Sequence, residues 1–135
     1  MYYNVLNYPG STAERVNQFR IVNRYIGADI ILTNEMISEN GAIALLEQGL
    51  NVFGTIKYKK AIFTDGPDTD NMLYFNSDKI GLYSQDTIQT ALRMINEYVL
   101  YYRSADIETT HDTIFFYMYS AHLKASSGTT NKLKR

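Results

Sequence analysis

The stretch from Tyr2 to Glu35 constrains the chain more than any other. Tyr2 to Tyr8 reads as a strand of mixed alternation, broken by Pro9-Gly10. Ser11-Thr12-Ala13-Glu14 is a capping-box pattern, in which hydroxyl and carboxylate satisfy the free N–H groups that open a helix. Val16, Phe19, Val22 and Ile26 then recur at near-helical spacing and give one apolar face. Gly27 supplies the stop. Ala28 to Glu35 follows as a second strand, short and β-branched. A strand, a helix and a strand in that span predict a parallel crossover, because parallel neighbours need a long connection. The chain is thereby committed to the α/β class.

The remainder reads as further short elements. Ala42 to Gln48 predicts a second helix, ended by Gly49. Tyr58 to Phe63 and Asn71 to Asn76 read as strands on either side of an acidic turn, Thr64 to Asp70, which contains Gly66-Pro67. Ser77-Asp78-Lys79 turns the chain. Ile80 to Thr90 is expected to be extended, although Thr87 to Ile95 satisfies a helical pattern as well. Glu97 to Arg103 and Thr113 to Lys124 read as a paired hairpin around the polar segment Ser104 to Asp112. A loop from Ala125 to Asn131 follows. The sum is a crossover unit followed by antiparallel strands, a mixed sheet with helices on one side.

At 135 residues the chain is long enough for one domain with a real core. Its net charge of −1 provides no global basic field to attract nucleic acid. The absence of cysteine excludes disulfides, thiolate catalysis and thiolate zinc sites. No apolar stretch approaches a helical membrane span, and the N-terminus has no signal-peptide pattern. Because strand begins almost at once, Met1 is read as an internal residue of a longer protein. Twelve tyrosines with no tryptophan suit half-buried strand positions, where the ring packs and the hydroxyl reaches water; base stacking is the alternative.

Two strand ends call for chemistry. Ile30-Ile31-Leu32-Thr33-Asn34-Glu35 closes an apolar run on a carboxylate, and Tyr117-Met118-Tyr119-Ser120-Ala121-His122 closes another on an imidazole. Glu35 suits a hard cation, or is an exposed strand-end acid. His122 suits proton transfer or a phosphoryl oxygen near neutral pH, or is a packed core histidine. Asn7 could orient a ligand or make the turn before Pro9. Arg93 could pair with a phosphate oxygen, or its stem could cover apolar surface. His111 reads as a solvated loop residue, and Lys57, Lys59 and Lys60 as a solvated strand edge. There is no dinucleotide fingerprint, P-loop or nucleophile elbow.

Taken in order, strand-Asn7, helix, strand-Asn34-Glu35, Asn71-Met72-Leu73-Tyr74-Phe75-Asn76-Ser77-Asp78-Lys79, Arg93 and Ser120-Ala121-His122-Leu123-Lys124-Ala125 resemble the endonuclease/exonuclease/phosphatase (DNase I-like) family, in particular its exported bacterial members. The resemblance covers nearly the whole chain. It implies the N-terminal half of a four-layer α/β sandwich, a mixed sheet with helices on its outer face. It implies hydrolysis of a phosphate ester by activated water with magnesium, or another divalent cation such as manganese or calcium. Glu35 matches the metal-binding glutamate, although Asn34 stands where glutamine is more common. Asn7 matches the first-strand asparagine that helps hold metal or phosphate, and His122 the histidine beside the scissile phosphate. Arg93 matches a phosphate-contacting arginine. Some members pair that histidine with a carboxylate near the strand beginning at Asn71, for which Asp70 is the nearest candidate.

The chain departs from the family in lacking Gly-Asp-x-Asn and the terminal Ser-Asp-His, whose histidine is the general base. Residues 1–135 are therefore expected to be a partial domain, truncated at the C-terminus and open to question at the N-terminus. Alone they are expected to be inactive, with one sheet face lacking its partner sheet. The substrate class implied is nucleic acid, a phospholipid head group or an inositol phosphate. The full-length protein is expected to be secreted or periplasmic and monomeric, and this chain has no transmembrane segment. The competing reading is a small, non-catalytic α/β ligand-binding module.

Overall fold

The structure, a computed structural model, describes residues 1–10, 15–90, 93–123 and 129. The crossover is present. Strand β1 (Tyr2–Tyr8), helix α1 (Arg15–Ile26) and strand β2 (Ile30–Met36) follow in order, and β1 pairs with β2 in parallel. The capping-box residues 11–14 lie outside the described residues. Gly27 closes α1 with φ +59°, its N–H bonding to the Asn23 carbonyl at 2.7 Å. Phe19 anchors α1 to the sheet, its ring edge-on to Tyr3 with centroids 5.6 Å apart.

The second helix begins earlier than the sequence suggests. Helix α2 (Glu39–Ala44) is capped by Ser38, whose Oγ accepts from the Gly41 N–H at 3.1 Å. It continues as a π-helical run, Leu45–Leu50. Gly49 therefore lies inside the helical segment instead of ending it. A Cβ at position 49 would come within 3.0 Å of Phe19, so glycine is there to let α1 approach.

Strands β3 (Tyr58–Lys60) and β4 (Asp70–Asn76) complete a four-stranded sheet of order β1-β2-β4-β3. β3 is shorter than predicted. Beyond it, Ile62 bonds through its backbone to the Gln85 side chain at 2.8 and 3.0 Å instead of continuing the ladder. Strands β5 (Ile80–Ile88), β6 (Ile95–Tyr102) and β7 (Phe115–Ser120) form a second, antiparallel sheet, with the short helix α3 (Ile107–Thr110) between the last two. The helical alternative for 87–95 gives way to strand at both ends of that segment.

All seven residues of β4 are buried, as in a strand covered on both faces. Tyr74 reaches the helices, its hydroxyl donating to the Ala42 carbonyl at 3.1 Å. Asn71, on the opposite face, bonds to Asn96 of β6. Tyr98 and Leu100 of β6 share one core with Ile31, Leu73 and Tyr74. The layers are thus helices, four-stranded sheet and three-stranded sheet: a partial α/β sandwich, as expected. The exposed apolar face is a different one from that expected. The chain's own β5–β7 cover the first sheet, and the outer face of the second carries exposed Tyr83, Phe115, Tyr117 and Tyr119.

Candidate active site

Both predicted strand ends arrive at one place. β2 loses register with both its neighbours at its C-terminal end, between Asn4 and Tyr8 of β1 and between Thr33 and Met36 of β2 itself. Glu35 sits in this irregularity with φ +61°, a left-handed backbone uncommon for a side chain of its type. Bulges of this kind re-aim side chains, and strained residues concentrate at functional sites.

Glu35 Oε1 accepts from Asn4 Nδ2 at 2.9 Å and lies 3.5 Å from His122 Nε2. His122 follows the end of β7 by two residues and is largely buried, its Nδ1 without a hydrogen-bond partner among the described residues. Burial pushes its pKa below the usual 6.5, and the Arg93 charge acts in the same direction; Glu35 and Asp68 pull it back up. At neutral pH the imidazole is uncharged, so it can offer one ring N–H and one lone pair. Arg93 donates from Nε to Asp68 Oδ2 at 2.8 Å and from Nη1 to the His122 carbonyl at 3.5 Å.

Glu35, His122 and Arg93 are therefore neighbours. Asn7 is not brought to Glu35's carboxylate; Asn4 takes that place. Leu6 and Asn7 are both left-handed, at φ 49° and 53°, and the Arg15 guanidinium holds the bulge by donating to the carbonyls of Val5, Leu6, Asn7 and Pro9. Asn4 precedes this distortion and stays in register opposite Asn34.

Asp70 also stands apart from His122. Its Oδ1 accepts from the Gly66 N–H at 2.9 Å, and its Oδ2 is buried without a partner among the described residues. Burial raises its pKa to about 6, with Asp65 and Asp68 adding to the effect and the Gly66 bond opposing it. The acidic-turn carboxylate that His122 feels is Asp68. A strand-start position made Asp70 visible in the sequence. Asn4 carried no signal beyond lying on the same strand as Asn7.

Among the described residues, no three His, Cys, Asp or Glu side chains form a metal-binding group. The charged oxygen donor present is the Glu35 carboxylate; the neighbouring Asn4 amide is engaged at both ends, its Nδ2 donating to Glu35 and its Oδ1 accepting from the Leu6 N–H at 2.8 Å. A lone carboxylate of this kind fits a hard divalent cation only where water and substrate supply the remaining oxygens.

No family model matches the chain, and no curated protein matches it. Solved structures do. D. rerio TDP2 complexed with single-strand DNA product superimposes with a TM-score of 0.63 at 12% identity, over 96% of this chain and 47% of that one. A humanized D. rerio TDP2 gives a TM-score of 0.61 at 12% identity, over 93% and 46%. ANGEL2, a 2′,3′-cyclic phosphatase, gives 0.50 at 16% identity, over 76% and 35%. The chain thus spans about half the length of the TDP2 chains. At these identities the likeness is one of fold: the chain has the architecture of a partial DNase I-like α/β sandwich.

Proposed function

We propose that the chain is the metal- and phosphate-binding half of a phosphoric ester hydrolase of the endonuclease/exonuclease/phosphatase family. The observation that carries the reading is the meeting of Asn4 and His122 at Glu35 Oε1, 2.9 and 3.5 Å away, on a left-handed strand end. Core packing does not call for that grouping.

Glu35 would hold a divalent cation, magnesium first among them. When bound, the cation supplies Lewis-acid stabilisation of charge on the phosphoryl oxygens. Asn4 orients the Glu35 carboxylate by donating to one of its oxygens. Neutral His122 presents a ring N–H to a phosphoryl or leaving oxygen. Arg93, steadied by Asp68, places a fixed positive charge beside His122, where an anionic ester would be drawn. The group that activates water comes from outside these residues, so the chain alone turns over no phosphodiester.

TDP2 with a single-strand DNA product and ANGEL2 as a cyclic phosphatase support a phosphate ester as the substrate class. Nucleic acid, phospholipid head groups and inositol phosphates all belong to that class. Export of the full-length protein belongs to the same proposal.

The test is Glu35→Gln in the full-length protein. Magnesium-dependent hydrolysis of bis(p-nitrophenyl) phosphate is expected to fall at least about 100-fold with an unchanged melting temperature. Full activity in that variant refutes the reading and favours the non-catalytic binding module.

A further inference from the structure

Behind Glu35 and His122 lies a buried set of amides for which the proposed chemistry has no use. At its centre is Asn71, 5% exposed, near the start of β4. Its Nδ2 lies 2.9 Å from Asn96 Oδ1, 3.1 Å from the Ser120 carbonyl and 3.2 Å from the Met94 carbonyl. Its Oδ1 accepts from Asn34 Nδ2. The two protons of the amide nitrogen are thus shared among three acceptors.

Each partner is close in sequence to a site residue. Asn34 precedes Glu35, Met94 follows Arg93, and Ser120 lies two residues before His122. Asn34, Asn96 and Ser120 are 1%, 4% and 0% exposed, so water does not compete for these bonds. Apolar side chains could join the two sheets equally well. Buried amides are unfavourable in a core unless bonded, and what they add is direction. One side chain here ties together the ends of three strands from two sheets, at the edge where the site residues emerge.

We propose that Asn71 is a positioning residue: through Asn34, Met94, Asn96 and Ser120 it sets the spacing of Glu35, Arg93 and His122. The inference rests on the hydrolase reading for its consequence and on the bond geometry for its substance.

The test compares Asn71→Ala with Asn34→Ala, which cuts only the link to the Glu35 strand and leaves the bonds to the second sheet. Nuclear magnetic resonance of the metal-free full-length protein follows the Glu35 carboxyl and His122 ring signals, and calorimetry follows magnesium binding. Both variants are expected to shift both sets of signals and to weaken magnesium binding about tenfold, the range found when partners behind a metal ligand are removed. The two substitutions should be non-additive, because they break one connected set. Folded variants whose signals are unmoved and whose magnesium affinity stays within twofold of the parent overturn the proposal. If Asn71→Ala does not fold, Asn34→Ala decides alone by the same readouts. Activity retained in Glu35→Gln refutes the hydrolase reading separately, while the His122 signals still decide whether Asn71 positions it.

Discussion

Replacing Asp70 by Asn should make the protein more stable near neutral pH, an unusual outcome for a buried site. Asp70 is 6% exposed, its Oδ2 has no partner among the described residues, and burial raises its pKa to about 6 from the usual 3.8. The sign follows from proton counting. Between about pH 4 and 6 the folded state holds a proton that the unfolded chain has released, so stability falls as pH rises through that window. Above it the loss is complete. Two pKa units at about 1.4 kcal/mol each give roughly 3 kcal/mol. Asparagine keeps an oxygen to accept from Gly66 and removes the charge, but leaves an amide nitrogen where Oδ2 was unpartnered. About 1–3 kcal/mol of stabilisation is therefore expected at pH 7.5, shrinking towards zero at pH 4. Urea unfolding at both pH values measures it. A variant no more stable than the parent at pH 7.5, or one with the same gain at both, refutes the argument.

Asn4→Ala should weaken magnesium binding about tenfold in the full-length protein, whereas Asn7→Ala should leave it within twofold; calorimetric titration separates them. Gly49→Ala should cost about 1–3 kcal/mol, because a methyl group 3.0 Å from Phe19 forces α1 outward; thermal melting reads the loss. Arg15→Met should cost about 2 kcal/mol by freeing the carbonyls that Arg15 collects from Val5 to Pro9, read from the urea midpoint.

The crossover was legible because its evidence is local: punctuation at Pro9-Gly10 and Gly27, and a change of period between them. Glu35 was legible because a carboxylate ends an apolar run for which packing gives no reason. What decides between Asn4 and Asn7 is not local. It depends on a bulge held by Arg15 from the next element, and no pattern within Tyr2 to Tyr8 encodes that. Gly49 misled for a similar reason, since a glycine that ends a helix and one that admits a neighbouring ring look the same in sequence. Asn71 read simply as the first residue of a strand. Its hub role exists only once β6 and β7 have folded back over the first sheet. Asp70 was visible as a carboxylate near a strand start, but its direction depends on Gly66 within the same turn.

The left-handed backbone at Glu35 bears on how such a site can be lost. Glycine or asparagine adopts that conformation more readily than glutamate, and the strain relieved is on the order of 1 kcal/mol. Drift at this codon is thus biased by folding alone towards residues without the carboxylate. On the hydrolase reading proposed above, selection on the site's chemistry is what opposes that bias, and a descendant released from it would keep the sandwich and lose the proposed cation site.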